Sequence, residues 1–174
     1  MNNSNPSSLI NILQKLLYLM IFEAILFLPA MGQEKPPKPI AVTVSTIQHL
    51  NFGTFIVSGA GGTVTVDSYG IRSAYNDIYL PSISSTTTPT PALFVVTALP
   101  GTLITIVNGP DAPLSSSNGG TIMLKIGQSS TGSPFVTKGL TTDVFIGGTL
   151  TVGSLSANPA GNYNGSFQIT FIQQ

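Results

Sequence analysis

The stretch DVFIGGTLTVGSLSANPAGNYNGSFQITF, residues 143–171, decides the fold. Val144, Ile146, Leu150 and Val152 recur at even spacing in its first half, and Tyr163, Phe167, Ile169 and Phe171 do so in its second. A period of two places alternate side chains on one face, so both halves read as strands with one buried side. Gly147-Gly148 interrupts the first run and predicts a bulge or a close approach of backbone. Asn158-Pro159 and Gly161 mark the turn between the runs. The second run closes the fold with almost no tail.

Working outward, the same grammar repeats. Ile40, Val42 and Val44 alternate in a first strand, and Leu50, Phe52 and Phe55 read as core residues around a glycine bulge at Gly53. SGAGG (58–62) reads as a loop before the strand TVTVD (63–67), which turns at Ser68-Tyr69-Gly70 into residues 71–80. The segment PSISSTTTPTP (81–91) is a low-complexity connector. Residues 93–99 and 102–107 are β-branched strands joined at Pro100-Gly101, a pair that fits a type II turn. Residues 111–118 read as a polar loop. Ile122, Leu124 and Ile126 share one strand face, and 128–142 reads mostly as loop. Strands recurring between Gly, Pro, Asn and Ser clusters, with no long helical period, predict an all-β sandwich of eight or nine strands. The Trp and paired Cys of an antibody-type domain are absent, because the chain has neither residue type.

Composition narrows the function. Of 174 residues only 7% are charged, against about 25% in an average soluble domain. Net charge is zero and no basic cluster exists, so nothing here suits a nucleic-acid backbone. The absence of cysteine rules out disulfides and thiolate metal sites. Residues 16–28, LLYLMIFEAILFL, form an apolar run behind Lys15, ended by Pro29. Ala30 and Gly32 supply small residues for cleavage before Gln33. At thirteen residues, and with Glu23 inside it, the run is short for a membrane span of about 20 residues. The chain therefore divides into a signal-peptide helix (1–32), a Pro-rich linker QEKPPKP (33–39) and a β-sandwich domain (40–174).

Candidate chemistry is sparse. His49 is the only histidine, and its nearest acidic neighbours in sequence are Glu34 and Asp67. Asp67, Asp77, Asp111 and Asp143 are scattered. They read as turn-forming and solvating residues rather than a carboxylate pair or a Ca²⁺ loop. GAGG (59–62) lacks the Lys and the following helix of a phosphate loop, and no G-x-S-x-G elbow is present. Asn164-Gly165-Ser166 fits a glycosylation sequon, though Gly165 reads as a strand glycine. Tyr69, Tyr75 and Tyr79 cluster on one hairpin, for cross-strand packing or for stacking on a sugar or partner. The sequence is therefore expected to hold no catalytic, cofactor-binding or metal-binding residues.

Two ends of the chain carry a resemblance. LNFG (50–53) with GGTVTV (61–66), and IGGTLTV (146–152) with GNYNGSFQIT (161–170), resemble a family of small secreted bacterial domains of unknown function. More distantly the chain is similar to spore-coat-U-like and archaic chaperone–usher pilus subunits, which implies an Ig-like, pilin-like sandwich. Gly161 stands fourteenth from the end with Phe167, Ile169 and Phe171 alternating beyond it, as in pilus subunits. Gln173 stands where those carry tyrosine. The resemblance implies a non-enzymatic structural or adhesive domain, secreted to the periplasm or outer surface of a bacterium. Its partners would be other copies of itself or pilus-like subunits, met through an edge strand, with no cofactor and no membrane span after cleavage. The alternative is a carbohydrate- or ligand-binding module with its site in loops 67–79 or 108–120.

Overall fold

The structure is a computed structural model that describes residues 14–16, 41–44, 48–81 and 88–174. Contacts divide the chain into two units, Met1–Pro37 and Lys38–Gln174. Of the first, residues 14–16 are described and are helical. The rest of the expected signal segment, the Pro-rich linker and most of the connector 81–91 lie outside the described residues. No helix among the described residues is long and apolar enough to cross a membrane.

The second unit is all-β. Its strands are β1 (Ala41–Val44), β2 (Ile56–Val66), β3 (Arg72–Tyr79), β4 (Ala92–Thr97), β5 (Leu103–Asn108), β6 (Ala112–Ser116), β7 (Thr121–Ser129), β8 (Phe135–Val136), β9 (Thr141–Val152), β10 (Tyr163–Asn164) and β11 (Ile169–Gln173). The larger sheet runs β1-β4-β9-β7-β6-β10, with β2 also on β9 and β3 on β2. The smaller runs β11-β5-β8. Every pairing is antiparallel.

The spine is β9, the first half of the stretch that opened the sequence reading. One edge of it pairs β7. The other pairs β4 through residues 141–146 and then β2 through residues 148–152. Gly147 lies at the changeover, where a Cβ would run into the Val66 carbonyl. A Cβ on Gly148 would lie 2.7 Å from Leu124 Cδ1. The glycine pair is thus a close backbone approach, as its position in the strand predicts. The extra residue of the bulge sits on β7, where the register shifts between Ile126 and Ser129.

Val144, Ile146, Leu150 and Val152 are all buried and tie two apolar clusters together. The first joins Ala92, Phe94 and Val96 of β4 to Ile104 and Ile106 of β5 and Phe135 of β8, so it fills the space between the sheets. The second lies under β2, β6, β7 and the end of β9, and Phe52 is its only buried member from outside the strands. Each fully buried Val or Ile contributes about 1.5–3 kcal/mol by leaving water.

Four features depart from the sequence reading. Residues 48–55 are not a strand apart from an isolated bridge between Asn51 and Thr90. They form a cover over the second cluster, with Phe52 buried and Leu50 and Phe55 packed against it. The SGAGG loop is an irregular part of β2, between the pairs Val57↔Ile78 and Gly62↔Asn76. Two strands, β6 and β8, occupy regions read as loop. Finally, the last apolar run is two strands in two sheets: β10 pairs β6, and β11 pairs β5. These changes take the described strands to eleven instead of eight or nine.

Candidate functional site

Among the described residues, the polar side chains that could have carried chemistry form no cluster, and two of them, Asp67 and Asp77, hold backbone. Asp67 Oδ1 accepts the amides of Tyr69 at 2.9 Å and Ile71 at 2.8 Å, so it shapes the β2–β3 turn. Asp77 Oδ2 accepts the Ala60 amide at 2.8 Å, which braces the β2 bulge. Asp77 is therefore a strand residue, not a turn residue. Asp111 is exposed just before β6, and Asp143 is exposed on β9 opposite Val95. His49 is exposed on the cover segment, and its carbonyl accepts the Thr90 hydroxyl at 2.8 Å. No group of His, Asp and Glu able to hold a metal occurs among the described residues.

Three residues have structural roles that their local sequence does not announce. Arg72, the only arginine, donates through Nη1 to the carbonyls of Phe52 (3.1 Å) and Thr54 (3.0 Å). It fastens the LNFG cover to β3, while Asn51 Oδ1 accepts the Gly53 amide at 2.8 Å. Thr137 is buried, and its hydroxyl donates to the Leu99 carbonyl at 2.6 Å, anchoring the Pro100-Gly101 turn. Asn158 is buried in the loop after β9. Its Oδ1 accepts the Gly153 amide at 2.6 Å and its Nδ2 donates to the Thr121 carbonyl at 2.8 Å. Asn158→Leu is expected to cost about 1–3 kcal/mol, because it removes two hydrogen bonds from a buried side chain and leaves the half-buried Gly153 amide without its partner. Urea titration against wild type reads this directly.

Three surfaces remain as candidate sites. An open depression of about 420 Å³ is lined by Ile106, Asn108, Gln128, Ser129, Gly132 and Ser133. Its polar groups are largely spent on one another. Ser133 Oγ accepts the Ile106 amide at 2.8 Å and donates to its carbonyl at 2.9 Å, Ser129 Oγ donates to Gly132, and Asn108 Nδ2 donates to Gly127. Ser133 thus completes the pairing of β5 where β8 has ended.

The second surface is the β2–β3 hairpin. Tyr69, Tyr75 and Tyr79 are 79%, 72% and 60% exposed, and among the described residues their rings stack on no other aromatic. Tyr75, Thr63 and Thr151 lie in register across β3, β2 and β9, and the Thr65 and Thr149 hydroxyls meet at 2.9 Å one step along. All three tyrosines are exposed, and Tyr75 and Tyr79 stand across from Thr63 and Ile56 of β2.

The third surface is the outer edge of β11. This strand pairs β5 alone among the described residues. Gln168 accepts from Gly109 and Gln174 donates to Leu103, so the even-numbered residues of the strand point their backbone groups at β5. The N–H and C=O groups of Ile169, Phe171 and Gln173 consequently point outward along the edge. Their side chains turn inward, where Ile169 and Phe171 pack on the first cluster.

An all-β sandwich whose polar side chains mainly brace loops defines the class of this protein. The chain belongs to the family described as a domain of unknown function, DUF4402, which matches residues 42–172. No curated protein and no solved structure matches it.

Proposed function

We propose that the chain is a non-enzymatic structural or adhesive domain exported to the bacterial periplasm or cell surface, with a pilus-like subunit as its specific form. The observation that carries this reading is the open edge of β11, since strand addition is a recurrent way for β domains to assemble. The apolar run 16–28 and the cleavage pattern at Ala30-Met31-Gly32 support export. The likeness of the LNFG and GGTLTV motifs to secreted and pilus-associated domains supports the same address. The scarcity of basic residues argues against nucleic acid as a partner.

Expression in a bacterial host with fractionation tests this. Mass spectrometry of the exported protein is expected to show a chain that begins at Gln33. Retention of residues 1–32 in a membrane-embedded form would count against export. Electron microscopy of the extracellular fraction is expected to show assemblies, and a soluble enzyme activity lost in a folded Asp→Ala variant would overturn the structural reading.

A second reading, a carbohydrate-binding module, is favoured by exposed Tyr75, which stands in register with Thr63 and Thr151 and next to the Thr65–Thr149 pair. Such a face offers ring surfaces for stacking on sugars and hydroxyls for hydrogen bonds. A glycan array separates the two readings: binding that disappears in Tyr75→Ala would favour the module.

A further inference from the structure

We infer that a second copy of this chain is the partner of β11, docked edge to edge about a two-fold axis through Phe171. This inference rests on the reading of the chain as an assembling structural domain and makes a dimer the unit of that assembly, since a two-fold pair closes the β11 edge to further strand addition.

The argument begins with the edges available. Among the described strands, β8 and β10 have two residues each at their sheet margins. The margin strand β3 carries Arg72, Asp77 and a left-handed backbone at Asn76, devices that discourage pairing. Four-residue β1 follows Pro37-Lys38-Pro39. By contrast β11 holds Ile169, Thr170, Phe171, Ile172 and Gln173, with no charge, proline or glycine. It is the longest of these margins without such a device.

The strand is also complementary to itself. Ile169, Phe171 and Gln173 each present one N–H and one C=O to the edge. In an antiparallel pair centred on Phe171, Phe171 faces its own counterpart and Ile169 faces Gln173 of the other copy. These are the residues whose backbone groups point outward, so about six hydrogen bonds form with every edge group used. Shifting the register by one residue would oppose outward groups to inward ones and lose the ladder. No like-charged side chains meet, because residues 163–174 include no Asp, Glu, Lys, Arg or His. Side-chain direction agrees. Phe171 of each copy stays on the core side, while Thr170 and Ile172 stay on the outer side.

The outer face extends the match. Leu103, Val107, Val136 and Ile172 are exposed, and Thr105 and Thr170 lie among them on the same side of the small sheet. The two-fold would join two such faces into one uncharged surface and two three-stranded sheets into one continuous sheet. A two-fold contact uses the same patch twice, which this self-complementary strand satisfies.

The chain lacks cysteine, so single substitutions give a clean test. In the proposed register Thr170 of one copy lies opposite Ile172 of the other, in a non-hydrogen-bonded pair with Cα atoms about 4.5 Å apart, suited to a disulfide. Full-length Thr170→Cys and Ile172→Cys chains, mixed and mildly oxidised, are expected to form the mixed disulfide well above either homodisulfide. Sedimentation of the full chain should show a concentration-dependent dimer that Ile172→Lys abolishes and Tyr75→Lys does not. Homodisulfides in excess, a monomer at all concentrations, or association indifferent to Ile172→Lys would each overturn the inference. A monomer that still reaches the cell surface and builds extracellular assemblies would sink the dimer and leave the structural reading intact. A dimer that shows this disulfide but is never exported would do the reverse.

Discussion

Phe94→Ala is expected to lower the stability of the domain by about 3–5 kcal/mol, the usual cost of deleting a buried phenylalanine. Phe94 is buried on β4, and two other rings meet it. Phe167 approaches edge-on at 6.5 Å between centroids, and Phe171 lies tilted at 5.6 Å. Such pairs are each worth about 0.5–1.5 kcal/mol beyond burial. The position matters because Phe94 belongs to the larger sheet, Phe171 to the smaller, and Phe167 to the segment that crosses between them. Removing the ring therefore opens a cavity where the sheets are joined. Total stability of a domain is typically about 5–15 kcal/mol, so much of the margin would go. Urea titration is expected to show a lower midpoint with an unchanged slope. Phe171→Ala should cost less, because that ring is only half-buried. A loss below about 1 kcal/mol for Phe94→Ala would mean that the rings do not join the sheets in this way.

The second large effect is expected at Gly147. Here a β-carbon would enter the Val66 carbonyl and lie 2.6 Å from the Asp67 carbonyl carbon. Both obstacles are backbone, one in the last residue of β2, paired with β3 and β9, and one in the turn residue after it, whose amide is bonded to the Ile71 carbonyl, so neither can step aside as a side-chain tip would. Gly147→Ala is expected to cost about 3 kcal/mol, the upper range for overpacking. The control is Gly139→Ala, where the nearest atom to the new carbon is 3.8 Å away and no left-handed backbone is needed. It should be near neutral. Equal stabilities for the two variants would show that β9 does not change neighbours at Gly147.

What the sequence made legible follows from what periodicity reports. In β9 the alternation of Val144, Ile146, Leu150 and Val152 gave the buried face, and Gly147-Gly148 gave the close approach, because both signals are local. The type II turn at Pro100-Gly101 was local too: Gly101 has φ +85° and Thr102 donates to the Leu99 carbonyl. Periodicity does not say which strand is the neighbour. Tyr163, Phe167, Ile169 and Phe171 stay in phase across the crossover between sheets, so one run hid two strands. Leu50 and Phe52 alternate like a strand, yet the segment is fixed by Arg72, a contact that depends on a residue twenty positions away. The strand β6 was hidden by Pro113 and the serines beside it. The candidate site was less legible still. An open edge is a property of sheet order, which is set by long-range pairing and leaves no mark on β11 beyond its lack of charge. Asn158 read as a turn residue because its burial depends on Thr121, which is likewise distant in sequence.

Amide hydrogen exchange on the full chain tests the central claim most directly, namely a sandwich built on β9 with an open edge at β11. The slowest amides are expected along β9, whose two edges are both paired. In dilute protein β11 should alternate: Thr170, Ile172 and Gln174 protected by β5, and Ile169, Phe171 and Gln173 exchanging quickly. At high concentration the second set should slow as well. Uniform protection of β11 at every dilution would mean that its edge is already occupied, and β9 amides exchanging ahead of the small sheet would contradict the role of β9 as the spine.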